Sequence, residues 1–81
     1  MMATEIMLKQ VLADVFGVDV ATVGEESSVD SIAAWDSLNH LNLVLALEER
    51  FGVSFSEEQI VEMMNYPLVK AVLEEAGVEF R

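Results

Sequence analysis

The sequence predicts an all-α fold: a small four-helix bundle with a long loop between the first and second helices and a short third helix. Apolar residues recur at helical spacing in four segments, and Gly, Ser and Pro separate those segments. The apolar share is 53% and there is no cysteine, so packing rather than disulfide bonding must hold the fold. At 81 residues the chain is expected to form one domain, 1–81, because two separate cores would not fit in this length.

Leu8, Val11, Leu12, Val15 and Phe16 fall at i, i+3, i+4, i+7 and i+8, one stripe of a first helix. Thr4 suits its N-cap and Gly17 its stop. From Gly17 to Asp36 the periodicity disappears, and the stretch reads as a connection pinned by Val20, Val23, Val29, Ile32 and Trp35. A loop of about 20 residues inside a compact domain is uncommon and usually serves a function. This one delivers the chain to Trp35-Asp36-Ser37-Leu38.

Helical spacing returns from Ser37, with Leu38, Leu41 and Leu45 on one stripe and Leu43, Val44, Leu47 and Phe51 beside it, until Gly52. That apolar arc is wider than one core face requires, so part of it should be exposed or meet a partner. Ser56 and Gln59 form a capping box ahead of Ile60, Met63 and Met64, a third helix of at most two or three turns. Pro67 fits only the opening turn of a helix, where its missing N–H is no loss. Val69, Val72, Leu73 and Ala76 supply the last stripe, closed by Gly77.

Fifteen Asp and Glu against four Lys and Arg give a net charge of −11. Nucleic acid is excluded as a partner, since phosphates would be repelled, and basic protein surfaces are favoured. Glu5 precedes the first lysine, Lys9, so the start does not read as a signal peptide. The longest apolar run, Leu43 to Leu47, is five residues, and no membrane span is expected. No window supplies the ligand pattern of a calcium loop, so no metal site is expected. The expected setting is a reducing cytoplasm.

The chemistry concentrates in WDSLNH, Trp35 to His40. Ser37 and His40 stand at i and i+3, which suggests a hydrolytic pair. A triad also needs an orienting carboxylate, an oxyanion hole and a pocket that excludes water, and neighbours on one helix diverge. No catalytic residue is therefore expected, and His40 reads as an ordinary surface residue. Asp36 is the better N-cap, with Trp35 and Leu38 packing around the helix entry and the Ser37 hydroxyl facing outward in the first turn. There the free N–H groups and the helix dipole favour an anion such as a phosphodiester.

Asp36-Ser37-Leu38 at a helix start, followed at the right distance by LEERFGVSF in an acidic 81-residue frame, resembles an acyl carrier protein over essentially the whole chain. The resemblance implies that Ser37 carries a covalent phosphopantetheine arm, transferred from coenzyme A by a phosphopantetheinyl transferase. The chain would be a noncatalytic carrier of acyl thioesters, and a monomer. Its partners would be an acyl ligase, synthase or acyltransferase with a basic docking patch. Partner recognition would fall to Asp36, Leu38, Asn39, Leu41, Asn42, Leu45 and Glu48. Contacts to a sheltered acyl chain would come from Leu43, Leu47, Phe55, Ile60 and Met63. Asn39, Asn42 and Arg50 stand where carriers of fatty-acid synthesis commonly have acids, and Trp35 is similar to discrete carriers of polyketide, modified-lipid or peptide assembly. The alternative reading is an unmodified acidic protein-interaction module.

Overall fold

The computed structural model describes residues 2–80. In chain order it has strand β1 (Met2–Ala3), helix α1 (Glu5–Phe16), a 3-10 turn (Val20–Thr22), helices α2 (Ser37–Phe51), α3 (Glu57–Glu62) and α4 (Tyr66–Glu75), and strand β2 (Glu79–Phe80). The four helices, the long connection and the short third helix match the expectation. The strands do not: β1 and β2 pair in parallel, Met2 with Glu79 and Ala3 with Phe80, joining the two ends of the chain. A two-residue ladder has no periodicity to betray it in the sequence.

The helix boundaries follow from capping chemistry. Thr4 accepts a hydrogen bond from the Met7 amide, and Ser56 and Gln59 complete a reciprocal capping box. Gly17 and Gly52 end α1 and α2 in the left-handed conformation, at φ 66° and 65°, where a side chain would be strained. Asn65 caps α4, accepting from the Leu68 amide, and Pro67 lies in the first turn as expected.

Leu8, Leu12 and Phe16 of α1, Leu43, Val44, Leu47 and Phe51 of α2, and Val69, Val72 and Leu73 of α4 share one core, with Met63 from the end of α3. The long loop joins it: Val23 and Trp35 are buried, and Val20, Val29 and Ile32 pack against them. The loop is also tied by its backbone to the junction of α3 and α4. Val29 N–H donates to the Met64 carbonyl at 3.1 Å, and Tyr66 N–H to the Ser27 carbonyl at 2.9 Å. A connection whose regular structure is a single 3-10 turn is thus held to the core and to the α3–α4 junction, which is what a segment presenting a site needs.

Tyr66 is buried and was not part of the expected core stripe. Its hydroxyl donates to Glu5 Oε1 at 2.8 Å, and Lys70 Nζ lies 3.5 Å from the same oxygen. The hydrogen bond from Tyr66, with the nearby Lys70, holds the Glu5 carboxyl below its ordinary value, whereas burial, then Glu5, pushes the Tyr66 phenol well above its own. Because the Glu5 value is depressed on folding, its stabilisation is full above the ordinary 4.5 and fades as pH falls through the lower folded value. Tyr66→Phe should cost about 1 kcal/mol in urea unfolding at neutral pH. The deficit should narrow on acidification below 4.5; a pH-independent deficit would remove Glu5 from the explanation.

Candidate functional site

The start of α2 is built around an inward-facing tryptophan. Trp35 is 4% exposed and stacks on Phe16 of α1, with ring centroids 4.8 Å apart. The next residue, Asp36, is the N-cap: its carboxylate accepts the Asn39 amide at 2.8 Å. Ser37 follows as the first residue of α2 and is exposed. Its hydroxyl makes no hydrogen bond to any described residue, so the oxygen is free to carry a substituent. The free first-turn N–H groups and the positive end of a 15-residue helix face the same solvent. A phosphodiester on Ser37 fits this position without displacing anything.

Leu38 does not pack around the helix entry, as the sequence suggested. It is 69% exposed and forms, with Leu41 at 55% and Leu45 at 63%, a solvent-facing apolar stripe. The entry is secured by Trp35 and Asn39 instead. Asn39 Nδ2 donates to the Ala34 carbonyl at 2.8 Å, while its Oδ1 accepts from Asn42 Nδ2 at 3.1 Å. Asn39 therefore clamps the end of the loop to the helix. Glu48 is half-buried and accepts the Phe55 amide at 3.0 Å, so one of its oxygens is committed to the turn between α2 and α3.

His40 is not the ordinary surface residue the sequence suggested. Trp35 Nε1–H donates to its Nδ1 at 3.0 Å, and its Nε2 lies 2.7 Å from the Ile60 carbonyl of α3. The indole N–H can only donate and the carbonyl can only accept, which fixes the tautomer with hydrogen on Nε2. Both ring nitrogens are occupied, and Asp36 is engaged as a cap, so neither is available to activate Ser37. No group of metal-ligating side chains occurs among the described residues.

The five residues expected to shelter an acyl chain divide in two. Leu43, Leu47 and Met63 are sealed in the core at 0% exposure, whereas Phe55 and Ile60 are partly buried at its edge. The open space beside Ser37 is elsewhere. A groove of about 640 Å³ runs between Trp35, Ser37, His40 and Leu41 on one side and Ile60, Val61 and Met64 on the other. Of the five, only Ile60 lines it. Sequence reasoning missed the rest of this wall because Val61 and Met64 look like ordinary members of a short amphipathic helix.

Residues 8–76 match the family model described as the phosphopantetheine attachment site. The chain belongs to the acyl carrier protein family. An acyl carrier protein of Clostridium acetobutylicum is 35% identical over 75 residues, covering 84% of this chain and 94% of that one. One of Solidesulfovibrio magneticus is 42% identical over 52 residues, 63% of this chain and 65% of that relative's length. The solution structure of holo acyl carrier protein from Geobacter metallireducens superposes with a TM-score of 0.76 at 28% identity, covering 85% of this chain and 79% of that one. The family carries a covalent phosphopantetheine group, and its members are carriers rather than catalysts. No helix among the described residues is long and apolar enough to cross a membrane.

Asp36 caps α2 immediately before Ser37. Asp36→Ala should lower stability by about 1 kcal/mol in chemical unfolding. Asp36→Asn, which keeps a capping oxygen, should recover most of that loss; equal losses in the two variants would separate the carboxylate from the cap.

Proposed function

We propose that Ser37 carries the phosphopantetheine arm and that the protein holds acyl intermediates on it as thioesters, delivering them to successive enzymes. The observation that carries this reading is the free, outward Ser37 hydroxyl at the first position of α2. The attached arm supplies the thiol that this cysteine-free chain lacks. The chain's own contribution is to hold the attachment point still while the arm moves, so that cargo meets whichever enzyme has docked at high effective concentration.

Docking falls to the face around the attachment point. Leu38, Leu41 and Leu45 offer the apolar contact, and Asp36 and Glu48 give it a negative rim. Asn39 and Asn42 complete that face and are uncharged. A basic patch on a transferase, ligase, synthase or acyltransferase complements it, with encounter that weakens as salt rises. The interface must stay modest, because one carrier has to leave each partner for the next.

Trp35, Asn39 and Asn42 favour a specialised cytoplasmic pathway, in lipid, polyketide or related assembly, over housekeeping fatty-acid synthesis. Asn39 has a structural reason to be neutral: an aspartate there would set a carboxylate against the Ala34 carbonyl that Asn39 Nδ2 now satisfies. Its neutrality belongs to the loop clamp, and Asn42 is the position at which charge alone can be varied.

Incubation with coenzyme A, Mg²⁺ and a broad-specificity phosphopantetheinyl transferase should add one arm by intact mass, and none to Ser37→Ala. An unmodified wild type would leave the acidic interaction module as the better reading. Asn42→Glu should raise acylation rates by enzymes of fatty-acid synthesis at low salt and lose that advantage at high salt. An unchanged rate would remove this position from partner choice.

A further inference from the structure

We propose that His40 is a specificity-determining latch that keeps acyl cargo out of the protein interior and confines it to the groove beside Ser37. The inference rests on the carrier reading above and concerns which cargo the carrier can shelter.

The third helix is the shortest helix of the bundle and has no fully buried residue. It is six residues long, and its backbone packs on α4. An isolated helix of this length has no stability of its own, so its position depends on what other elements hold it. Two side chains of α2 reach across to this segment. Glu48 accepts the Phe55 amide just before it, and His40 donates to the Ile60 carbonyl in its last turn. That carbonyl belongs to the set with no intrahelical partner, so the imidazole satisfies an acceptor that the helix cannot. Trp35, held against Phe16, fixes the ring through Nδ1. The α2–α3 seam is thereby fastened to the buried tryptophan.

The seam also lies between the elements that carry Leu43, Leu47 and Met63, the apolar residues able to surround a long chain. All three lie at 0% exposure and none lines the groove. With His40 in place the imidazole forms part of the groove wall, and cargo at the end of the Ser37 arm can meet Ile60, Val61 and Met64 at the surface. Because that groove is open to solvent, each further methylene there gains less apolar burial than it would in the core. Without the latch, α3 can move away from α2 and admit the chain to the core side.

The test uses the holo protein loaded with butanoyl, octanoyl or dodecanoyl groups, and reads the rate at which hydroxylamine releases each thioester. Intact mass before loading checks the carrier reading separately: absence of the arm defeats that reading and the latch with it. In the wild type, octanoyl and dodecanoyl should be released within about twofold of butanoyl, since none enters the core. In His40→Ala, dodecanoyl should be protected by about fivefold over butanoyl, the ratio expected when one net hydrogen bond no longer holds the seam. His40→Gln, whose amide can still donate to Ile60, should restore the flat profile. If the alanine variant does not fold, His40→Phe, which keeps a ring in the same space but has no N–H to donate to Ile60, should show the same change. A wild type that already shields dodecanoyl fivefold, or a folded His40→Ala with a flat profile, would overturn the latch while leaving the carrier intact.

Discussion

Trp35 must face inward, and the geometry of the site follows from that constraint. Its ring fills the space against Phe16, and its N–H donates to the lone pair of His40 Nδ1, so the indole is buried with its donor satisfied. A chain that has just sent one residue into the core turns the following ones out as α2 begins. Asp36 then closes the first turn, Ser37 emerges beside it, and Asn39 reaches back to hold the loop that delivered them. No separate device for exposing Ser37 is needed, because its exposure is the complement of the burial two residues earlier.

The same economy governs charge. Of the described cations, Lys9 lies over the Tyr66 ring, and Lys70 lies near both Glu5 and the Phe80 ring, so both serve the seam between the chain ends. Arg50 sits in the last turn of α2, where the helix dipole favours it. None neutralises the start of α2. Around the exposed leucine stripe the charge comes from Asp36 and Glu48, beside the neutral Asn39 and Asn42. An apolar centre with a charged rim is a surface that binds and releases rather than one that binds permanently.

Much of this was legible in the sequence. The stripes on α1 and α4, the stops at Gly17 and Gly52, and the capping box at Ser56 and Gln59 were readable because each is a local rule with a fixed spacing. The place of Ser37, first in α2 after its cap, was readable for the same reason. What escaped depends on contacts between residues far apart in the chain. The strand pair joins residues 77 positions apart (79 − 2), and Tyr66 meets Glu5 across the same seam. His40 resembled a surface residue because its partner on α3 is a backbone carbonyl, which no side-chain pattern announces. The sealed Leu43 and Met63 and the open groove beside Ser37 were indistinguishable in sequence, since apolar residues on adjacent stripes differ only in what covers them.

The direct test of the account is a phosphorus-31 to proton correlation spectrum of the protein after treatment with coenzyme A and transferase. A single phosphodiester resonance coupled to the β protons of Ser37, with the Trp35 indole N–H proton unmoved, is the predicted result. Coupling to any other serine, or an indole signal showing that Trp35 has left the core, would contradict the claim that an inward tryptophan presents Ser37 for attachment.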